Sequence, residues 1–116
     1  MAYEVLITNE AFNDLDLITG FIASQSSIEI ARRWFAEMIG SIETLREMPS
    51  RCPLAPEAEE LECEVRLLLH GRKNRAYKIY FTIHQETALS GSVRVFHVRH
   101  RAMRPLDTEE LKGLLN

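Results

Sequence analysis

Side chains that could act on a phosphate group recur in the second half of the chain. His97 and His100 can each accept or donate a proton, because the unperturbed pKa of histidine lies near neutral pH. Lys78, Arg99 and Arg101 can hold an anionic group through charge-assisted hydrogen bonds. Cleavage of an RNA phosphodiester without a metal needs a base, an acid and such cations. These residues are therefore candidates for catalysis, provided that the fold brings them together.

The positive charge of the chain is concentrated in residues 65–105. This segment holds nine of the fourteen Lys and Arg residues and one acid, Glu86, so its net charge is +8 although the whole chain carries −3. Such a region is typical of a surface that binds an anionic partner, although the same side chains could simply solvate loops and edge strands. The candidate binding residues are Arg72, Lys73, Arg75, Arg99, His100, Arg101 and Arg104.

Three short apolar runs position these residues. Val65–Leu69, Ala76–Ile83 and Val93–Val98 have the length of strands, and the polar connectors between them are short and contain glycine. This pattern predicts an antiparallel meander. Alternation in the second run predicts one sheet face against a core and one that carries polar and basic groups.

The same alternation limits the candidate site. On an ideal strand His97 and Arg99 face one way, while Phe96, Val98 and His100 face the other. These side chains can share one site only if the strand ends or bulges near Val98. A zinc site is not predicted, because residues three apart on a strand diverge and no cysteine partner follows.

The first half of the chain predicts a strand and two helices. Residues 3–7 alternate as a strand, and Thr8 then has the position of an N-cap for an amphipathic helix over about residues 9–24. Ser26 with Glu29 has the spacing of a capping box, so a second helix is expected from there to Met48, where Pro49 stops it. The apolar residues of this helix are assigned to the core, and they include Trp34, Phe35, Met38 and Met48.

The remaining segments complete a single domain over residues 1–116. Residues 49–64 contain three prolines and five glutamates, which indicates an irregular segment with a solvated acidic run. Asp107 and Glu110 predict a capped short helix whose leucines dock on this domain or on a partner. The predicted fold is α+β, in the order β-α-α-β-β-β-α, with an N-terminal helical hairpin packed on a small antiparallel sheet.

Composition excludes several classes of protein. No apolar run approaches the length needed to cross a bilayer, and the first residues lack a signal-peptide pattern, so we expect a cytoplasmic protein without membrane contact. Cys52 and Cys63 match no metal spacing, and reduced thiols are expected for both. No cofactor is predicted.

Three local sequences carry a family resemblance. They are EVRLLL (64–69) at the start of the meander, YKIYFTI (77–83) at its centre and VFHVRHR (95–101) at its end. Their order and spacing, over about residues 3–105, resemble the RelE/ParE superfamily of type II toxin–antitoxin toxins, above all its ParE-like, plasmid stabilisation branch. Arg101 stands where the family often has a glycine after Arg-His, so this turn is expected to differ.

The resemblance implies a small bacterial toxin that a cognate antitoxin holds inactive. A partly disordered antitoxin segment would fold over the toxin, placing apolar side chains in grooves beside the hairpin and acids on the basic region. Without that cover, exposed sheet edges or the C-terminal leucines could join two copies into a homodimer.

The resemblance leaves three possible functions. ParE-type members inhibit DNA gyrase and need no nuclease site, whereas RelE-type members are ribosome-dependent endoribonucleases that cut mRNA. RelE-like nucleases often have a basic residue at the position of Lys78, but they commonly use an aromatic residue near the C-terminus, and none follows Phe96 here. We therefore favour gyrase inhibition over nuclease activity, which would use Lys78, His97 and Arg99. A non-toxic binding module on the same fold is the third hypothesis.

Overall fold

A computed structural model describes residues 2–116 of the chain. The elements occur in the predicted order and have the following bounds: β1 Glu4–Ile7, α1 Asn9–Gln25, α2 Ile28–Glu43, β2 Arg66–His70, β3 Tyr77–Gln85, β4 Gly91–His100 and α3 Thr108–Leu115. The strands form one sheet in the order β1-β4-β3-β2. The predicted α+β fold, with a helical hairpin followed by a meander, is confirmed.

Strand β1 makes the sheet mixed rather than wholly antiparallel. β2 pairs with β3, and β3 with β4, in antiparallel register, as the meander predicts. β1 instead runs parallel to β4, with Glu4 opposite Ser92 and Ile7 opposite Val95. The helical hairpin returns the chain to the start of β1, where Tyr3 N–H donates to Arg46 O at 2.8 Å, and residues 47–65 then lead to β2 at the other edge of the sheet.

Side-chain caps fix where the two long helices begin. Thr8 Oγ1 accepts a hydrogen bond from Ala11 N–H at 3.2 Å, which confirms the predicted cap of α1. The predicted cap of α2 at Ser26 is wrong by one residue, since Ser27 Oγ accepts from Ile30 N–H at 3.1 Å. Ser26 instead ends α1, because its N–H donates to Ile22 O at 2.9 Å.

The end of α2 also differs from the prediction. The helix stops at Glu43 and continues only as a 3-10 turn over Thr44–Arg46. Met48 lies beyond it in the left-handed region, at φ 46°, and its side chain is 71% exposed, so its assignment to the core is wrong. The backbone turns at this residue to enter Pro49, and the turn carries the methionine side chain out to solvent.

The main core lies between the helical hairpin and one face of the sheet. Leu15 of α1 and Met38 of α2 are fully buried against Phe81 and Val95 of the sheet. Trp34 and Phe35 pack half-buried at the edge of this cluster, and the other members include Ile42, Leu45, Ile79 and Val93. Burial of these side chains is the main stabilising contribution to the hairpin–sheet contact.

A second core covers the opposite face of the sheet, where polar and basic groups were predicted. Tyr80 and Phe96 are buried there against Val65, Leu106 and Leu111. Residues 55–65 and the leucines of α3 supply this cover, so the short C-terminal helix docks on its own domain. The prediction of a polar face holds only for the ends of the strands.

A β-bulge in β4 rearranges the candidate site. Tyr80 lies opposite His97, but the next residue, Phe81, lies opposite Val95, which leaves Phe96 as an extra residue. The bulge places Phe96 in the second core, on the face that His97 shares with Tyr80. Because β1 ends at Ile7, β4 has an open edge beyond Val95.

Candidate functional site

Two of the candidate catalytic cations lie side by side beneath the second core. Lys78 of β3 is the register partner of Arg99 of β4. Lys78 Nζ lies 3.7 Å from Glu57 Oε2, and the exposed fractions of the two side chains are 16% and 5%. Arg99 is 7% exposed. The fold brings these cations together, and Pro56 and Glu57 lie beside Lys78, so little of either cation reaches solvent.

Glu57 is the residue beside the candidate cations that was not predicted from the sequence, because it was assigned to a solvated acidic run. Tyr80 Oη donates a hydrogen bond to Glu57 Oε2, and Leu106 N–H donates to the same oxygen at 3.4 Å. Burial works to raise the pKa of Glu57, but the hydrogen bonds from Tyr80 and the backbone, together with Lys78, outweigh it and lower that pKa. The same burial and the Glu57 carboxylate raise the pKa of Tyr80.

The remaining glutamates of this segment fit the solvated assignment. Glu59, Glu60, Glu62 and Glu64 are exposed. The sequence signal for Glu57 is its place directly after Pro56, in a short 3-10 turn between the buried Ala55 and Ala58. An acid between two buried small residues is expected to be partly buried, whereas an acid in an exposed run is expected to be solvated.

His97, the candidate for proton transfer, faces an acid on α1. Its Nδ1 lies 3.0 Å from Asp14 Oδ2, and its side chain is 15% exposed. Asp14 Oδ2 also accepts a hydrogen bond from Val98 N–H at 3.0 Å, at the open edge of β4. Within residues 2–116 neither ring nitrogen of His97 has an aligned hydrogen bond, and neither does Nε of Arg99.

An apolar groove of about 850 Å³ runs along this open edge. Helix α1 forms one wall with Leu17, Ile18 and Phe21, while Met103 and Leu114 lie on the side of α3. Leu17 is 75% and Phe21 56% exposed. His97 and Arg99 also line the groove, together with Asp14, Tyr77, Val98, His100, Arg104, Leu106, Glu110 and Gly113. An exposed apolar surface of this kind is typical of a protein interaction site.

The exposed candidate binding residues collect at one end of the sheet. Arg72, Lys73 and Arg75 are exposed on the β2–β3 turn. This turn requires Gly71, whose φ is +101° and whose added Cβ would lie 2.9 Å from Arg75 O. Arg101 N–H donates to Ala76 O at 2.9 Å, so the exposed Arg101 follows β4 beside the same turn.

Two other predicted binding residues have partners within the domain. Arg104 makes a bidentate ion pair with Glu110 of α3, at 2.6 and 2.9 Å. His100 Nδ1 accepts from Ala102 N–H at 2.9 Å, and its ring lies edge-on to Tyr77 at 5.0 Å between centroids. The predicted binding residues therefore divide into four at an exposed basic end, two with partners within the domain and the buried Arg99.

His70 adds no positive charge to this end at neutral pH. Its Nδ1 lies 2.6 Å from Ser41 Oγ on α2. Burial lowers the pKa of His70, although Glu37 partly opposes this shift. The ring is therefore neutral when the arginines around it are charged.

Comparison with known proteins decides the family. Residues 5–105 match the family model described as "ParE toxin of type II toxin-antitoxin system, parDE". The chain belongs to the ParE toxin family. In this ParE toxin the match includes the helical hairpin and all of the sheet except Glu4, whereas α3 lies beyond it. The resemblance to the RelE/ParE superfamily is thereby confirmed.

A solved structure supports the fold of the ParE toxin. The chain is similar to a chain of the "Chromosomal ParDE TA system from P. aeruginosa", with a TM-score of 0.62 and 16% sequence identity. The alignment covers 85% of this chain and 96% of that one. No curated protein matches the sequence.

Family membership implies an antitoxin as a partner of this ParE toxin. Among residues 2–116 no group of three or more His, Cys, Asp or Glu side chains is placed to hold a metal ion. None of the helices in that range has both the length and the apolar character needed to span a membrane. Cys52 is buried and Cys63 exposed, and both are free thiols.

Proposed function

We propose that this ParE toxin acts by binding and inhibiting DNA gyrase and has no nuclease activity. The observation that carries the proposal is the covered state of Lys78 and Arg99. A nuclease must hold a scissile phosphate against its cations, and here Glu57 occupies the position beside Lys78 while Arg99 is 7% exposed. His97 is directed toward Asp14 and is also largely covered. Inhibition by surface contact needs none of these groups to be free.

The cognate antitoxin would dock in the groove between α1 and α3. Leu17 and Phe21 supply exposed apolar area that a folding antitoxin segment can bury. The basic end of the sheet, with Arg72, Lys73 and Arg75, would remain for acidic side chains or for the target. We place the complex in the cytoplasm, where gyrase is found.

The two alternatives make different predictions. A ribosome-dependent endoribonuclease would have to move Glu57 and its segment, residues 55–65, away from Lys78. A non-toxic binding module would keep the groove and leave growth unchanged. A homodimer would form through the exposed sheet edges, since Leu111 of α3 is already buried in its own domain. Sedimentation of the isolated chain tests that association.

The deciding experiment is induced expression of the chain in a bacterial host without an antitoxin. Growth, mRNA integrity and plasmid supercoiling are followed together, and the purified protein is added to a gyrase supercoiling assay. We expect growth arrest, intact mRNA and loss of supercoiling. Growth arrest with cleaved mRNA would support the nuclease alternative instead. Unimpaired growth with a folded product would support the non-toxic binding module.

A further inference from the structure

Four exposed cations lie together at the end of the sheet where β2 and β4 end and β3 begins. Arg72, Lys73 and Arg75 follow β2 in the turn to β3, and Arg101 follows β4. Arg101 N–H donates to Ala76 O at 2.9 Å, which holds Arg101 beside that turn. Within residues 2–116 none of these four side chains of the basic end forms an ion pair with an acid. Their charge is therefore available to a partner.

The backbone of the β2–β3 turn holds these cations in a defined arrangement. Gly71 and Lys73 both have positive φ, 101° and 51°, and a lysine adopts that region only at a cost. Arg75 N–H donates to Arg72 O at 3.0 Å, which brings the backbones of the two arginines together in a 3-10 turn. Like charges at this separation repel each other, and a bound anion would offset the repulsion.

The width of the basic end suits a repeating anion better than a small one. β2, β3 and β4 are neighbours in the sheet, and strands lie about 4.8 Å apart, so the basic end is about 10 Å wide. One strand of duplex DNA presents a phosphate about every 3.4 Å along its axis, so this width faces about three phosphates. Residues 71–75 are all exposed and form an open surface that a duplex can approach.

The basic end has no exposed aromatic side chain on which an unpaired base could stack. Tyr77, which follows the turn, is half-buried, and its ring lies edge-on to Trp34 at 5.1 Å and to His100 at 5.0 Å between centroids. Proteins that bind single strands combine a basic groove with aromatic platforms for the bases. The basic end instead suits contacts to backbone phosphates, which are independent of sequence.

The charge of the other segments limits how DNA can approach. Residues 65–105 carry +8 and the whole chain −3, so the other segments together carry −11. A polyanion is attracted to one end of the molecule and repelled by the rest, which orients the contact and keeps it weak. A weak contact becomes effective when a second interface already holds the partners together.

We propose that the basic end binds the phosphate backbone of the duplex DNA held by gyrase, while another surface of the toxin contacts the enzyme. The inference rests on the proposed function, in which gyrase is the target. Arg72, Lys73 and Arg75 contact one DNA strand, and Arg101 extends the contact across the end of the sheet. The toxin thereby binds gyrase with DNA more tightly than gyrase alone.

Direct binding to DNA tests the basic end without gyrase. The probe is a fluorescein-labelled duplex of about 20 base pairs of arbitrary sequence, titrated with the full chain and followed by fluorescence anisotropy. We expect a Kd of roughly 10–100 µM at about 20 mM salt, because only a few phosphates are contacted. The logarithm of the binding constant should fall by about 2.7 for each tenfold rise in salt, since each of about three phosphates contributes about 0.9.

Two double variants identify the surface that binds. Arg72→Gln with Arg75→Gln should weaken DNA binding about tenfold at low salt and reduce its salt dependence by about one to two phosphates. The matched control is Arg32→Gln with Arg33→Gln, which removes the same charge from exposed positions on α2. The control should change affinity less than about threefold, because these arginines lie outside the basic end. All four positions are exposed, and circular dichroism verifies that both variants are folded.

The same variants then test the contact on gyrase. The toxin concentration that halves supercoiling should rise about tenfold for the basic-end variant and less than about threefold for the control. Binding to gyrase without DNA, measured by surface plasmon resonance, should be the same for both variants. This pair of measurements separates a contact with DNA from a contact with the enzyme.

Three results would overturn the proposal. The first is the absence of salt-dependent binding to the duplex, and the second is an equal loss of DNA binding in the two double variants. The third is tighter binding to single-stranded RNA or to a Glu-rich peptide than to the duplex, which would assign the basic end to another class of partner.

Failure of this inference is distinguishable from failure of the proposed function. A toxin that inhibits gyrase equally well in both double variants keeps its proposed function and loses the contact with DNA. A chain that binds the duplex through the basic end but leaves gyrase active keeps the DNA contact and loses its proposed target.

Discussion

Lys78 of β3 lies directly opposite Arg99 of β4, and Glu57 forms an ion pair with Lys78 from the segment that covers the sheet. Two cations side by side in a buried site repel each other, and the carboxylate beside Lys78 offsets part of this repulsion. Glu57 is therefore a structural requirement of the covered face, and its bonds to Tyr80 and Leu106 fix residues 55–65 and α3 above the sheet.

Substitution of Lys78 tests whether this residue has a structural role or a catalytic one. Lys78→Ala should lower the free energy of unfolding by about 1–2 kcal/mol, because Glu57 loses a partly buried ion pair while it keeps its bond from Tyr80. Growth arrest on induction should persist with intact mRNA. The matched control is Lys112→Ala, whose pair with Glu109 has the same 3.7 Å separation but is exposed, and which should leave stability unchanged. Loss of mRNA cleavage in the Lys78 variant alone would restore the nuclease hypothesis.

Tyr80→Phe tests the hydrogen bond beneath α3. The change leaves the ring in the second core but removes the donor to Glu57, so we expect a loss of about 1–3 kcal/mol of stability in chemical denaturation. Tyr3→Phe is the control, because its hydroxyl bond to Gln85 Oε1 at 2.9 Å is exposed and should contribute less than about 0.5 kcal/mol. Equal losses in the two variants would contradict a special role for the buried bond.

Glu57 should make the domain sensitive to acid. Its pKa is lower in the folded state than its ordinary value of 4.5, so the unfolded chain binds more protons as the pH falls. The stabilisation is present above about pH 4.5 and is lost as the pH falls through the folded pKa. Glu57→Gln cannot titrate, and its unfolding midpoint in urea should fall less steeply than that of the wild type between pH 5 and pH 3. Parallel pH profiles would contradict this prediction.

The ion pair between Arg104 and Glu110 predicts a local titration shift. The hydrogen bonds from Arg104 and from the Asp107 backbone lower the pKa of Glu110 to about 2 from its ordinary value of 4.5. In Arg104→Gln, NMR titration of the Glu110 carboxyl should show a pKa closer to 4.5. Because a folded-state pKa below the ordinary value stabilises the folded protein at neutral pH, the thermal midpoint of the variant should fall there, and only slightly because the pair is largely exposed to solvent. A Glu110 pKa that stays low in the variant would show that the backbone alone sets it.

Charged substitutions in the groove should prevent neutralisation by the antitoxin. Leu17→Asp and Phe21→Asp place a charge where apolar side chains are expected to dock, and each should weaken antitoxin binding by about a hundredfold or more. Leu89→Asp is the control, since Leu89 is 84% exposed at the tip of the β3–β4 hairpin and does not line the groove. Co-expression of toxin and antitoxin gives the readout: growth should stop in the groove variants and continue in the control.

Much of this architecture could be predicted because it depends on local chemistry. The Thr8 cap of α1 and the capping box of Asp107 with Glu110 are formed by residues three apart, so their spacing is visible in the sequence. The alternation in β3 likewise identified the residues of the main core, such as Ile79 and Phe81.

The parts that could not be predicted depend on residues distant in the chain. Glu57 is buried only because Tyr80 and Leu106 meet it, 23 and 49 residues later. The bulge at Phe96 moves that residue into the second core, against the strict alternation on which the prediction relied. Met48 has a left-handed backbone where the chain leaves α2 and enters Pro49. This conformation exposes the side chain, although its hydrophobicity predicted burial.

The parallel pairing of β1 with β4 determines when the sheet can be completed during translation. Glu4 can meet Ser92 only after almost all of the sequence between the two strands has been synthesised. The first strand therefore waits unpaired through most of translation, and such non-local pairing is slow to form. A ribosome that stops before residue 92 releases a fragment without the central strand and without the groove. The groove, which needs residues of both β4 and α3, therefore forms only at the end of synthesis.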